Sequence, residues 1–227
     1  MKPIYTLIIE SSTTMPAVAL SCNGQIQSQL NLTPGFSSSQ ELIPKLMDLL
    51  AGENVQVSDI SYIGVGVGPG SYTGIRVGVS VAQCLAYALS LPLCGICSLK
   101  AFVPSENGRF AVLFDAKVAG VYYLGGFCSE EGIIWDEEPQ VCSLEECAHL
   151  LENVDAVIGP DIQKVKKRMA THAISDSLMW VQKEPQLEEM QREVAKNFAQ
   201  GDYSLDGKLE ILYLRKTQAE LERDAVT

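Results

Sequence analysis

The chain has 227 residues, 47% of them hydrophobic and 20% charged, the balance of a folded globular protein. A chain of that length buries most of the surface its unfolded form exposes, so it needs neither a disulfide nor a metal to fold. The net charge of −11 argues against a primary nucleic-acid binder, whose affinity comes largely from Lys and Arg neutralising phosphates.

Ile4 to Ile9 is an apolar run that predicts a buried strand, and Glu10-Ser11-Ser12-Thr13-Thr14 a polar turn after it. Glu10 also breaks this run before any leader-like pattern develops. No apolar stretch reaches the roughly 20 residues that span a bilayer, so a cytoplasmic protein without membrane contact is expected. Ala17 to Ser21 predicts a second strand. Asn23-Gly24 then predicts a type I′ hairpin turn, whose two central residues need positive φ, and Gln25 to Leu32 alternates as a third strand. Ser37 to Leu42 has the serine-then-glutamine/glutamate pattern of a helix start, and Leu42, Ile43, Leu46, Leu49 and Leu50 repeat at helical spacing. A helix over about Ser39–Ala51 follows, with Pro44 near its first turn. Tyr62 to Val67 is a fourth strand. Thr73 to Leu89 is a second helix, ended before Pro92. Leu93 to Cys97 is a fifth strand, and Ser98 begins a short helix.

After about residue 102 the pattern restarts. Strands are predicted at Ala111–Phe114, Val121–Phe127 and Val154–Gly159, and helices at Ser143–Leu151, Gln186–Ala199 and Thr217–Arg223. Both halves open on strand, acidic polar turn, strand, which suggests an α/β protein of two similar lobes, 1–102 and 103–227. The basic run Lys164, Lys166, Lys167 and Arg168 reads as a solvated helix face. The seven scattered cysteines fit reduced core thiols better than a disulfide framework. Cys94-Gly-Ile-Cys97 has the CxxC form, but it sits in an apolar strand with no second pair nearby, so no metal is expected.

The segment Gly68-Pro69-Gly70-Ser71-Tyr72-Thr73-Gly74-Ile75-Arg76-Val77-Gly78 is the most informative stretch. It lacks the lysine of a Walker loop and the spacing of a dinucleotide fingerprint, although a helix N-terminus with Arg76 close by can attract an anion. It also reads as a tight turn launching a capped helix. On that helix Gly74, Gly78, Ala82 and Ala86 form a small-residue stripe for close packing, and Val77, Val81, Leu85 and Leu89 an apolar stripe rotated from it. Two such faces suit a helix between the core and a subunit, or one sandwiched inside the domain.

This segment resembles the GPGSFTGLRIG motif of the TsaB (YeaZ) family, and other pieces follow in the same order. Ile8-Ile9-Glu10-Ser11-Ser12-Thr13 resembles the opening strand and Asp-Thr-Ser motif. Ser38-Ser39-Gln40-Glu41-Leu42-Ile43-Pro44 resembles the HSExLLP helix start. Ser98-Leu99, Asp115-Ala116-Lys117 with Val121-Tyr122-Tyr123, and Tyr213-Leu214-Arg215 match later family segments. The likeness covers the first 125 residues well and the rest thinly. It implies an actin/Hsp70-like (ASKHA, ribonuclease-H-like) two-lobe fold, with a final helix at about 216–227 returning to the first lobe. It also implies a non-catalytic subunit, without a cofactor of its own, required for threonylcarbamoyl modification of the adenosine beside the anticodon in ANN-decoding tRNAs. The implied partners are a TsaD-like transferase, a TsaE-like ATPase and a second copy of the chain, with tRNA met only indirectly. The two pairing helices place the partner face at Leu42, Leu46, Leu49, Gly74, Val77, Gly78, Val81 and Leu85. Glu10 stands for the family's Asp, and Ser38-Ser39-Gln40 for its His-Ser-Glu. These departures bear on ligand roles at those positions, not on the fold.

No catalytic constellation is visible. His149 and His172 are the only histidines, far apart and outside any HExxH pattern, so a metallopeptidase lacks its ligands and a Ser/His/Asp triad its setting. The alternative is an ATP-dependent phosphotransferase or ATPase of the actin-like kind. Glu10, Ser12 and Asp115 would be the remains of its nucleotide site, since Glu10 and Asp115 end the first strand of each half. Against that stands an arrangement in which one carboxylate caps a turn and the other is held by a nearby basic group.

Overall fold

The computed structural model describes residues 2–35, 37–136 and 138–214. The expected meander is β1 (Tyr5–Glu10), β2 (Ala17–Cys22) and β3 (Gln25–Asn31); α1 (Ser37–Gly52), β4 (Ile60–Gly68), α2 (Tyr72–Leu89) and β5 (Leu93–Cys97) follow. The sheet order is β3-β2-β1-β4-β5, with β2 antiparallel to both β1 and β3, and β4 parallel to both β1 and β5. At the β2–β3 turn Asn23 and Gly24 have φ of 50° and 83°, the left-handed pair a type I′ hairpin demands.

Residues alternate sides along a strand, so an unbroken apolar strand needs cover on both faces. β1 has it. Leu7 and Ile9 pack with Leu42, Leu46 and Leu49 of α1 and Ile75, Val79 and Ala82 of α2. Ile8 turns the other way, to Leu187, Met190 and Val194 of α5 (Leu187–Gln200).

The second sheet is built from β6 (Gly108–Asp115), β7 (Val121–Ser129), β8 (Gly132–Trp135), β9 (Gln140–Cys142), β10 (Ala156–Gly159) and β11 (Met179–Gln182). Its order is β11-β10-β6-β7-β8, and β9 pairs the other end of β7. α3 (Leu144–Leu150) and α4 (Ile162–Arg168) cover one face through Ala111, Leu113, Cys147, Ile162 and Val165. Phe110, Val112 and Phe114 on the other face join Ile8, Ala19 and Met190 in one apolar layer between the sheets.

α5 follows the second sheet in sequence yet lies against the first. Gln186 ties the crossing, its N–H donating to the Ala101 carbonyl at 2.7 Å and its side chain accepting from the Val103 N–H at 3.0 Å. Beyond α5, Ser204 and Leu93 exchange two backbone hydrogen bonds of 2.9 Å, and the Leu212 N–H donates to Val67 at 3.0 Å. The helix expected at Thr217–Arg223, the final helix at about 216–227 and Arg215 lie outside the described residues.

The CxxC pair closes β5. Burial pushes the Cys94 and Cys97 thiols up to about 11, and that suppresses the reactive thiolate. In the native protein, iodoacetamide is therefore expected to label the exposed Cys84 first, and Cys94 and Cys97 only on unfolding, as peptide mass mapping would read out.

Candidate functional site

The glycine-rich segment is built around Ser11 and Ser12, just past β1. The Gly68–Pro69 peptide is cis and Gly68 has φ 99°, and just beyond them the Ser71 N–H donates to the Ser12 carbonyl at 2.6 Å. Ser71 caps α2, its hydroxyl accepting from the Gly74 N–H at 3.3 Å. The Ser11 hydroxyl donates to the Gly74 carbonyl at 2.8 Å. A Cβ on Gly74 would run into the Ser11 carbonyl, and one on Gly78 into the Ser11 hydroxyl. Ala82 and Ala86 continue the stripe, both buried. The small residues thus bring α2 onto its own sheet.

This changes where an outside partner can touch. Leu42, Leu46 and Leu49, expected at a partner face, are core residues, each at most 3% exposed, and Gly74 and Gly78 face Ser11 rather than the outside. Val77, Val81 and Leu85 are half-buried at the edge of that core, where α1 and α2 run beside each other. The outer surface of α1 carries Ile43 and Met47, 57% and 51% exposed, and that of α2 carries Thr73, Arg76, Ser80, Cys84 and Tyr87, the last 77% exposed. Ile43 belongs to the predicted helical repeat yet is exposed where Leu42, Leu46, Leu49 and Leu50 are buried, and Met47 stands outside that repeat.

Ser12 and Asp115 line a cleft of about 580 Å³ with Thr13, Ser71, Lys117 and Asp161. Glu10 lies behind it, fully buried. Its Oε1 accepts from the Ser12 N–H and hydroxyl, both at 2.6 Å, so it caps the turn after β1. Burial raises its pKa; the hydrogen bonds of Ser12 and the hydroxyl of Ser98 oppose the rise, although Oε2 accepts no hydrogen bond of ordinary geometry.

Asp115 has a different setting. Its side chain is 2% exposed; Lys164 Nζ stands 2.5 Å and Lys117 Nζ 3.1 Å from Oδ2, and Arg168 pairs with Oδ1. Burial pushes its pKa up, but hydrogen bonds from Lys164 and Lys117 outweigh that and hold it well below the usual carboxylate range. The basic run is therefore not simply a solvated face. Lys164 and Arg168 reach back from α4 to Asp115, while Lys166 lies over the Trp180 ring, 5.8 Å from its centroid. Arg168 also donates to the carbonyls of Gly120 at 3.0 Å and Lys117 at 2.5 Å, clamping the loop from Asp115 to Gly120. Any magnesium phosphate group would have to displace these cations from Asp115. Among the described residues no group of three His, Cys, Asp or Glu is placed to hold a metal ion. His149 is exposed beside Glu152.

Two mixed sheets of this order, with a cleft between them, make this an actin/Hsp70-like (ASKHA) two-lobe protein. The family model described as TsaD, tRNA N6-adenosine threonylcarbamoyltransferase, matches residues 37–213. The tRNA threonylcarbamoyladenosine biosynthesis protein TsaB of Escherichia coli K12 is 32% identical over 148 residues, covering 63% of this chain and 64% of that protein. Its Haemophilus influenzae namesake is 27% identical over 172 residues, covering 69% and 71%. YeaZ from Pseudomonas aeruginosa superposes with a TM-score of 0.78 over 93% of this chain and 100% of that one, at 22% identity, a likeness of fold. The chain belongs to the family this model describes, and the relatives it is similar to carry the TsaB name. The match spans just under two thirds of the length of the E. coli relative.

Proposed function

We propose that the chain is a non-catalytic, cytoplasmic subunit needed for threonylcarbamoyl modification of the adenosine beside the anticodon in ANN-decoding tRNAs. In this reading it acts as scaffold and activator of a TsaD-like transferase. The observation that carries the proposal is the outer surface of the α1–α2 pair, where Ile43, Met47 and Tyr87 are exposed next to half-buried Val77, Val81 and Leu85. Apolar side chains of this kind on two adjacent helices suit a helical partner. The names of its relatives support the pathway, and the match to the transferase model supports a partner of related fold. With a net charge of −11 the chain leaves the tRNA contacts to its partners. A TsaE-like ATPase and a second copy of the chain are further partners in this proposal.

Aspartate at positions 43 and 47 puts two charges where docking removes water. The double variant Ile43→Asp/Met47→Asp is expected to weaken association with a TsaD-like subunit on the order of 100-fold, read by calorimetry or analytical ultracentrifugation. Wild-type proteins that sediment separately at micromolar concentration would remove the proposal. The ion pairs of Asp115 weigh against the phosphotransferase reading. Calorimetry with Mg-ATP is expected to give no heat; binding that disappears in Asp115→Ala would restore that alternative.

A further inference from the structure

Arg76 stands apart from the other described arginines. Arg109 holds Asp136, Arg168 holds Asp115 and Arg192 holds Glu189, but no described carboxylate reaches Arg76, in a chain with 28 acidic residues. Its partners are two tyrosine hydroxyls. Nε donates to Tyr213 at 3.0 Å and Nη2 to Tyr72 at 2.9 Å. The guanidinium carbon lies 4.1 Å from the centroid of the Tyr72 ring, and the Tyr72 and Tyr213 rings stack at 4.9 Å. A guanidinium offers two edges that match a carboxylate, one made by Nε and Nη2 and one by Nη1 and Nη2. The tyrosines occupy the first. The second stays open on an exposed side chain.

Two phenols are weak company for a guanidinium, yet they fix its plane and so remove most of the entropy an arginine loses on forming a bidentate pair. Arginine and tyrosine are also the residue types that dominate interface energetics. Arg76 is exposed on α2 together with Ser80, Cys84 and Tyr87, and α1, which carries the exposed Ile43 and Met47, packs beside α2.

We infer that Arg76, positioned by Tyr72 and Tyr213, is a carboxylate fork that receives an aspartate or glutamate side chain of the protein docked on the α1–α2 face. The inference rests on the proposal that this face binds a TsaD-like subunit, and it adds the charge that sets register there. An exposed ion pair is worth little, but removing one member of a pair that docking desolvates weakens binding by about tenfold or more.

The test uses the full chain and a TsaD-like subunit, with Kd measured for wild type, Arg76→Met, Arg76→Lys and Tyr213→Phe. Arg76→Met is expected to weaken binding about 10- to 100-fold. Arg76→Lys is expected to recover only part of it, because an ammonium cannot form the fork. Tyr213→Phe, which keeps the charge and loses the positioning bond, is expected to cost a few-fold. The thermal midpoints should stay close to wild type, as befits an exposed side chain. Unchanged Kd in Arg76→Met, with binding still lost in Ile43→Asp/Met47→Asp, would overturn the fork and leave the docking face standing. No binding by the wild type would overturn both. A separate titration of the chain alone with inorganic phosphate distinguishes the other source of an anion: heat that vanishes in Arg76→Met would assign Arg76 to a small anion rather than a protein carboxylate and overturn the inference.

Discussion

Gly74→Val is expected to destabilise the protein by about 3 kcal/mol, and Gly74→Ala by about 1–2 kcal/mol, in urea unfolding. Two opposed effects meet at this position. Alanine gains up to about 1 kcal/mol over glycine inside a helix. Its Cβ, however, would collide with the Ser11 carbonyl, a backbone atom that cannot swing aside. Moving it disturbs the Ser11–Gly74 and Ser12–Ser71 hydrogen bonds that seat α2 on β1. Overpacking costs about 1–3 kcal/mol and so outweighs the propensity gain. Gly52, in the last turn of α1, is the control. A Cβ there meets nothing within 4 Å, so Gly52→Ala is expected to be neutral or stabilising by up to about 1 kcal/mol. Opposite signs for the two alanine variants would establish that α2 approaches the sheet through its glycines. Equal gains would show that the stripe is not in contact.

Arg168→Met is the second large effect, a loss of about 3 kcal/mol. The guanidinium binds the Asp115 carboxylate and two loop carbonyls at once, and hydrogen bonds to charged groups contribute about 1.5–3 kcal/mol each before solvent screening of a partly exposed side chain reduces the sum. Methionine retains much of the apolar stem, so the difference reports the polar head. The loss should depend on pH. The pKa of Asp115 is depressed in the folded state, so its contribution is present above the unfolded value of about 4 and fades as pH falls through and below it. The gap between wild type and Arg168→Met is therefore expected to narrow in acid, leaving what the bonds to the carbonyls of Lys117 and Gly120 supply. Equal stability of wild type and Arg168→Met at pH 7 would mean that neither the Asp115 carboxylate nor the two loop carbonyls depends on Arg168.

The first sheet was legible because its signals are local. Apolar runs, a hairpin dipeptide, a helix cap and a proline beyond the helix end each constrain a few neighbouring residues, and β1 through α2 follow them. In the second half β8, β9 and β11 escaped, being short and only partly buried, whereas β10, equally short, is buried throughout and shows as an apolar run. The return of α5 to the first sheet was equally hidden, because nothing local says which of two sheets an amphipathic helix covers. At the candidate site, the turn-capping role of Glu10 was among the alternatives open to the sequence. The partners of Asp115 were not assignable, since Lys164 and Arg168 are some 50 residues away and a basic run on a short helix looks solvated. Leu42, Leu46 and Leu49, expected at a partner face, lie in the core instead. They are the most hydrophobic stripe of α1, and the same property that marks a contact surface also builds a core.

The proposed partner role in tRNA modification is measured most directly by the threonylcarbamoyladenosine content of ANN-decoding tRNA. Depleting the chain in its own cells is expected to lower that content sharply. Wild-type chain should restore it, and Ile43→Asp/Met47→Asp, expressed to the same level, should not. Unchanged content on depletion, or full rescue by the double variant, would contradict the account.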